Sequence, residues 1–374
     1  MRKVACINPK TNIPDNFKYV DLESVVGTSL IKAKLTTKQL APSRAQRVAK
    51  KGDIFYQTVR PYQKNNFLFD INNYDFQYVF STGYAQLRSE INNYFLFSYL
   101  QRQRFVNLIL RRSTGTSYPA ISSKDLSEIK IIFPRNSKEQ ENIGKIINLI
   151  DALITLQQRK LKQLKQLKKA MLQQLFVDKN CKQPILRFKN FNDNWEERKL
   201  SDIANYRNGK AHEQYIDMNG IYTVVNSKFI STNGKVKKFS NKPIELLKKG
   251  EIAFVLSDVP NGKALAKTYL IDSDNKYSLN QRIAGITPSS DINSYFLYIL
   301  MNRNRYFLKF DDGVGQTNLS KKDIEKFKEN YPLFDEQQKI ANLFSKIQTL
   351  ITRQQNKLNQ LIALKKYLLQ NLFI

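Results

Sequence analysis

Two stretches of the chain, residues 139–176 and 336–373, carry apolar side chains at the alternating three- and four-residue spacing of a long amphipathic helix. The second stretch is a gapless copy of the first. Of the 38 aligned positions, 20 are identical, which marks an internal duplication. Weaker echoes precede each copy. Lys50-Lys51-Gly52-Asp53-Ile54 recurs as Lys248-Lys249-Gly250-Glu251-Ile252, and Lys124-Asp125-Leu126 recurs as Lys322-Asp323-Ile324. The chain therefore reads as a variable segment, a helix, a second variable segment and a second helix.

Each helix has a start signal. Asn136-Ser137 follows Pro134 and Asp335 follows Pro332, with Glu-Gln next in both copies; a small polar cap and acid in the first turn satisfy orphan amides and oppose the helix dipole. A helix of ~38 residues is ~57 Å long, the length of a coiled coil or bundle spine. One heptad line in the first copy is Ile143, Ile150, Gln157, Leu164, Met171, and the other is Ile146, Leu153, Lys160, Leu167, Gln174. The second copy gives Ile340, Ile347, Gln354, Leu361, Leu368 and Leu343, Leu350, Lys357, Leu364, Asn371. Both seams are interrupted at the same central heptad, by Gln157 and Lys160 and by Gln354 and Lys357. Antiparallel pairing sets Gln157 against Gln354 in one polar layer, a device that lowers stability and fixes register; the plainer reading is a seam that rotates into solvent there. The antiparallel arrangement also predicts a pseudo-two-fold axis, with the variable segments at opposite ends of a rod. The Lys/Gln run at residues 160–169 is by default a solvated face, and a phosphate contact is the sharper alternative.

The variable segments, residues 1–136 and 179–334, flank helical spacers at 137–178 and 335–374 and read as mixed α/β. Strand patterns fall at 19–25, 53–59, 129–133, 221–226 and 252–256, and amphipathic helical stretches at 89–110 and 292–307. Residues 179–184 look like the link into the second segment, with Trp195 seating its first strand or turn.

Charge narrows the partner. The 374 residues hold 61 Lys+Arg against 32 Asp+Glu, a formal net charge of +29, and such a field selects polyanions. A ribosomal-type basic protein is the bland alternative, but 19 Tyr and 23 Phe are rich for one. No apolar run reaches the ~18–20 residues of a spanning helix and no signal-peptide core opens the chain, so no membrane partner is expected. Cys6 and Cys181 stand far apart, as reduced thiols of a cytoplasmic protein do.

Candidate DNA-contacting residues cluster in loop-like parts. In the first segment they are Ser43, Arg44 and Arg47, then Arg60, Tyr62 and Lys64, then Arg111 and Arg112 before Gly115. In the second they are Lys210 after Asn208-Gly209, His212, Asn226 with Lys228, Lys235 with Lys237 and Lys238, Asn261 with Lys263, and Gln281 and Arg282 after Asn280. Arg matches guanine edges and Asn or Gln adenine edges, while Lys mostly meets phosphate; each residue alone is equally well ordinary surface. His212 is the single histidine, which removes histidine triads and multi-histidine metal sites; a hydrogen-bonding role suits it as well as a DNA contact. Gly209-Lys210 and Gly262-Lys263 lack the rest of a phosphate-binding loop, and Gly313-Val314-Gly315 and Asp311-Asp312 read as turns. No catalytic residue and no metal site is assigned.

With these features in order, the chain resembles the DNA-specificity subunit of a type I restriction–modification system over essentially its whole length. The residues carrying the resemblance are Ala41-Pro42-Ser43-Arg44-Ala45, Gly52-Asp53-Ile54 and Arg60-Pro61-Tyr62 in the first half. In the second they are Leu186-Arg187-Phe188, the run from Trp195 to Leu200 and the run from Val255 to Gly262. The joint of Phe133-Pro134 or Tyr331-Pro332 leading into Glu-Gln completes the set. The resemblance implies two α/β (α+β) target-recognition domains joined by an antiparallel coiled coil of two long helices. It implies a non-enzymatic subunit that reads a bipartite site in double-stranded DNA across an unread gap. Its implied partners are two methyltransferase (modification) subunits and restriction/translocase subunits, with SAM, ATP and Mg²⁺ belonging to those partners and no cofactor of its own. One departure stands out: the second half has a lead-in at residues 185–203 that the first half almost lacks, so either the first domain borrows its edge from elsewhere or the start of the chain is trimmed. The competing readings are a self-contained methyltransferase or nuclease with fused recognition domains, and an RNA-binding scaffold.

Overall fold

A computed structural model describes residues 1–178 and 181–373; Lys179 and Asn180, in the predicted link at 179–184, lie outside the described residues. The chain divides into two compact units, Met1–Leu161 with Gln354–Ile374, and Lys162–Arg353. Each unit holds one variable segment and part of both long helices.

The variable segments share a topology despite their divergence. In the first unit one antiparallel sheet has the order Ala5–Ile7, Tyr84–Ser89, Ile54–Gln57, Phe67–Leu68, and in the second Ala204–Asn208, Ile283–Pro288, Ile252–Val255, Thr268–Leu270. The other sheet runs Lys34–Thr37, Asn16–Val20, Tyr78–Ser81, Ala45–Val48, matched by Phe239–Ser240, Tyr222–Val225, Tyr277–Leu279, Leu246–Leu247. In both, the central pair alone is parallel. The strands predicted at 53–59, 221–226 and 252–256 are present in shortened form. That at 19–25 is displaced to Asn16–Val20, and both predicted helices are broken, into Asn93–Leu100 with Gln103–Leu110 and Ser294–Met301 with Arg305–Leu308.

The recurring motifs are local hydrogen-bond devices. In Lys-Lys-Gly-acid the glycine takes positive φ (91° at Gly52, 87° at Gly250), and the next carboxylate accepts the N–H that opens the turn, Lys50 at 2.8 Å and Lys248 at 2.6 Å. The same buried carboxylates pair with arginines from different strands, Arg88 with Asp53 at 2.9 Å and Arg207 with Glu251 at 2.7 Å. At the Glu-Gln joint, Gln140 donates to Pro134 O at 2.7 Å and accepts from Asn92 N at 3.2 Å. Gln337 repeats this with Pro332 O and Asn293 N, both at 2.9 Å. Asn92 and Asn293 are themselves N-caps, so one glutamine ties the start of each long helix to the start of a domain helix.

The long helices run Ser137–Leu175 and Phe334–Asn371 and pair antiparallel within each unit. In the first unit Asp151 meets Lys365 at 2.5 Å and Gln157 meets Gln354; in the second Lys168 donates to Gln348 at 2.8 Å and Phe176 packs on Phe344. The seam differs from the predicted one by a residue. The lines through Ile143, Ile150, Gln157 and Ile340, Ile347, Gln354 are buried, but their companions are Ile147, Leu161, Phe344, Ile351 and Leu358. The predicted companions Ile146, Leu153, Leu167, Leu350 and Leu364 are exposed, and so are Lys160 and Lys357, which therefore take no part in the buried layer. The true line continues to Lys168 and Lys365, the two lysines that reach across to the partner helix.

The halves differ at one edge. In the second unit Glu196–Lys199 pairs antiparallel with Lys328–Tyr331. The lead-in to that strand is anchored by buried Trp195 against Phe176 and Phe296 and by a two-pronged Arg187–Glu336 pair at 2.9 and 2.8 Å. Residues 129–133, predicted as a strand, form none, because among the described residues no strand lies beside them.

Candidate nucleic-acid interface

In both units the loops after the central sheet strands are zipped to a glycine-containing loop. Arg60 N donates to Pro119 O at 2.8 Å, Ile121 N to Thr58 O at 3.0 Å, and Thr114 and Ala120 bond each other at 2.9 Å. Thr58 N also bonds Gly83 O at 3.0 Å and Thr82 N bonds Arg44 O at 2.8 Å. The separate sequence groups around Arg44, Arg60 and Arg112 thus belong to one bonded set of loops. The second unit repeats the pattern: Ser257–Asp258 pairs with Thr317–Asn318, and Asn261 Nδ2 donates to Gly313 O at 3.3 Å.

Ser43, Arg44, Tyr62 and Arg112 are exposed, with Arg47, Arg60 and Lys64 half-buried. Arg60 takes a left-handed backbone (φ 54°) and lays its guanidinium 4.3 Å over the exposed ring of Tyr118. Tyr118 was not singled out from sequence; its signal was its place in the Gly/Ser/Thr-rich tip before Pro119. Lys64 has its pKa lowered, chiefly by desolvation and further by the ammonium groups of Lys365 and Lys366. Burial likewise lowers that of Arg47. A phosphate in front of such crowded cations relieves both effects.

In the second unit Lys210, Asn280, Gln281 and Arg282 come together. Lys210 N bonds Leu279 O at 3.1 Å, Gln281 N bonds Lys210 O at 3.0 Å, and Leu256 N bonds Arg282 O at 3.0 Å. Lys210 Nζ lies 3.2 Å from Glu245 and Gln281 Nε2 donates to Glu213 at 2.7 Å. Asn261, Lys263, Lys228, Lys235 and Lys237 are exposed, the last three near the helix Ser227–Ser231 rather than in the zipped loops. Two candidates have internal roles. His212 is buried, its Nδ1 donating to Lys210 O and its Nε2 facing Ser278 Oγ, each at 2.7 Å, so its ring is spent on bracing the backbone at Lys210, just beyond the strand Ala204–Asn208. The side-chain oxygen of Asn226 accepts from Phe229 N at 2.8 Å as an N-cap. Arg303, missed in the sequence, takes φ 56° and donates to Gly262 O and Leu265 O at 3.3 and 3.2 Å, propping the Asn261–Lys263 loop. Among the described residues no cluster of His, Cys, Asp and Glu could hold a metal ion, and no helix is long and apolar enough to cross a membrane.

Paired mixed domains with dissimilar loops, each followed by a copy of one long helix, define a duplicated two-domain class of protein. The match of the type I restriction modification DNA specificity domain to residues 9–166 and 192–363 then places it: the chain belongs to that family. It is 26% identical over 282 residues to the type I restriction enzyme MjaVIII specificity subunit of Methanocaldococcus jannaschii, a match covering 68% of this chain and 64% of that one. It is 27% identical over 173 residues to the HindI specificity subunit of Haemophilus influenzae, covering 45% and 37%. The matches thus span less than two thirds of those relatives. In fold it is similar to the type I restriction-modification S subunit from M. genitalium, with a TM-score of 0.68, 18% identity, and coverage of 100% and 94%. It is also similar to a chain from a structural study of complex assembly and conformational transition of the type I R-M system, at 0.53, 20%, and 98% and 92%.

Proposed function

We propose that the chain is the DNA-reading subunit of a type I restriction–modification complex, each domain reading one half-site of a bipartite duplex target. The observation that carries this reading is the pair of zipped loop sets. They are built on one topology and equipped with different side chains, Arg60, Tyr118 and Lys64 in one and Asn261, Lys263 and Arg282 in the other. A shared frame fixes where the reading edges stand, and unlike side chains make the half-sites unlike.

The same proposal gives the long helices a docking role. On the first, Ile146, Leu149, Leu153 and Leu156 are 43, 64, 44 and 56% exposed at the 3-4-3 spacing of a second coiled-coil seam. A line of that kind suits a partner helix, and we assign it to the methyltransferase subunits, with restriction/translocase subunits joining that assembly. SAM, ATP and Mg²⁺ are assigned to those partners, and this chain performs no chemistry itself. The purified chain, incubated with DNA, Mg²⁺, ATP and SAM, is expected neither to cut nor to methylate. Exchange of residues 1–134 for another such domain is expected to change one half-site in methylome sequencing of a host carrying this chain and its partners. Alteration of both half-sites, or of neither, refutes one-domain-one-half-site reading.

A further inference from the structure

The zipped loops of the second unit present two valines to solvent. Val259 is 63% exposed and Val314 86%, and neither packs into the apolar clusters of that unit among the described residues. They stand on the two loops at the ends of the paired strands Ser257–Asp258 and Thr317–Asn318.

The tip formed by these loops is tied together from within. Asp258 accepts from Val259 N at 2.9 Å, Ala264 N at 2.6 Å and Leu265 N at 3.1 Å. A Cβ at Gly262 would stand 2.1 Å from the same carboxylate, so the loop closes around Asp258 only with glycine there. Asp311 accepts from Gly313 N at 3.1 Å, and Asp312 from Val314 N at 2.9 Å and Gly315 N at 3.3 Å. Gln316 Nε2 donates to Ser257 Oγ at 2.7 Å, beside the bond from Asn261 to Gly313 O. The carboxylates and amides of the tip thus turn back on the tip itself, and two β-branched apolar groups are left facing outward.

Leu256 joins this tip to a basic loop. Its carbonyl accepts from Leu319 N at 2.8 Å, and its N–H donates to Arg282 O at 3.0 Å. Arg282 and Lys263 are exposed and suit phosphate. Three carboxylates make the tip itself a poor neighbour for phosphate, which leaves it the base edges. The apolar group that base pairs show in the major groove is the C5 methyl of thymine.

We propose that Val259 and Val314 read thymine, through its methyl group, in the half-site of the second domain. This contact rests on the DNA-reading assignment and adds to it the base that the tip selects. Counted from the matched pairs Val59–Ala120 and Ser257–Asn318, the first unit has Pro61 and Thr116 at these places, and Pro61 is buried. No such pair of exposed valines stands there, so the thymine requirement belongs to the second half-site.

The test uses duplexes enriched by the full chain from a randomised pool, remade with deoxyuridine for one thymidine at a time. That exchange removes the methyl group and keeps the pairing. The second domain's half-site is the one retained when residues 1–134 are exchanged. At one or two of its positions deoxyuridine should weaken binding about fourfold, the worth of one methyl-sized apolar group, as read by fluorescence anisotropy. The same exchange in the unread gap should change nothing. The full chain carrying both Val259→Ala and Val314→Ala should no longer distinguish thymidine from deoxyuridine, with its salt slope unchanged. Val314→Ile should keep the distinction. If no sequence is enriched, the DNA-reading assignment itself fails and the thymine contact falls with it. If a bipartite sequence is enriched, but the wild type ignores every exchange in the second half-site or the double variant keeps the distinction, the thymine contact alone is refuted.

Discussion

The buried glutamine pair gives a sharp test of how the long helices are specified. Gln354 Nε2 donates to Gln157 Oε1 and lies 3.4 Å from Gln157 O, with both residues more than nine-tenths buried. Replacing only Gln157 by Leu strands the Gln354 amide in a seam whose other buried positions are apolar, Ile351 and Leu358 on its own helix and Leu161 on the other, at a cost of about 1–3 kcal/mol for a buried group left unpaired. Gln354→Leu does the same to Gln157. The double variant removes both polar groups and leaves a continuous apolar seam, so it should be as stable as the wild type or more stable, by up to about 4 kcal/mol. The cycle thus carries a favourable coupling of several kcal/mol, measurable by urea unfolding of the four proteins. The double variant should also lose its unique register, giving more than one species by size exclusion with light scattering. Singles within about 0.5 kcal/mol of wild type and strictly additive would refute the buried contact. A single monodisperse species with unchanged pairing in the double variant would refute the register role.

Other consequences are as direct. Tyr118→Ala and Arg60→Ala should each weaken binding to the half-site read by the first domain by about 1–3 kcal/mol and leave the other half-site unchanged, while Lys64→Ala should lower affinity regardless of sequence and reduce the salt slope by about 1; both are read by competition binding at several salt concentrations. Gln348→Asp copies the Asp151–Lys365 ion pair onto Lys168, whose pKa burial now lowers. The new carboxylate should raise that pKa in the folded state and stabilise the second unit by up to about 1 kcal/mol; the gain is full below the unfolded lysine value and fades as pH rises through the folded one, as thermal melts at neutral and strongly alkaline pH would show. Deleting one heptad from each long helix where the two face each other, residues 161–167 and 344–350, removes about 10 Å of rise while keeping the Gln157–Gln354 contact, and should shorten the unread gap in the target by about 3 base pairs, with both half-sites kept; an unchanged gap argues against the helices as a ruler.

The duplication, the two long helices with their start signals, the mixed character of the variable segments and the polar interruption at Gln157 and Gln354 were all legible in the sequence, because each rests on local spacing or on comparing the chain with itself. What lay beyond it was the choice among options that local pattern leaves equal. Ile146-Ile147 and Leu153-Ile154 put an apolar side chain on either of two adjacent heptad lines, and only the facing helix decides which line is buried. Residues 129–133 are as strand-like as residues 328–331, but a strand needs a neighbour, and Glu196–Lys199 gives one only to the latter. His212 and Asn226 look like reading residues until the fold folds one inward against Ser278 and turns the other into a cap. The loops proposed to read DNA come from segments more than fifty residues apart, Arg60 and Tyr118, Asn261 and Gly313. In the first unit their juxtaposition is made by main-chain hydrogen bonds that any sequence could form, and in the second the Asn261 side chain meets a Gly313 carbonyl that no local pattern places beside it, so the sequence named the side chains and the tertiary structure alone brought them together.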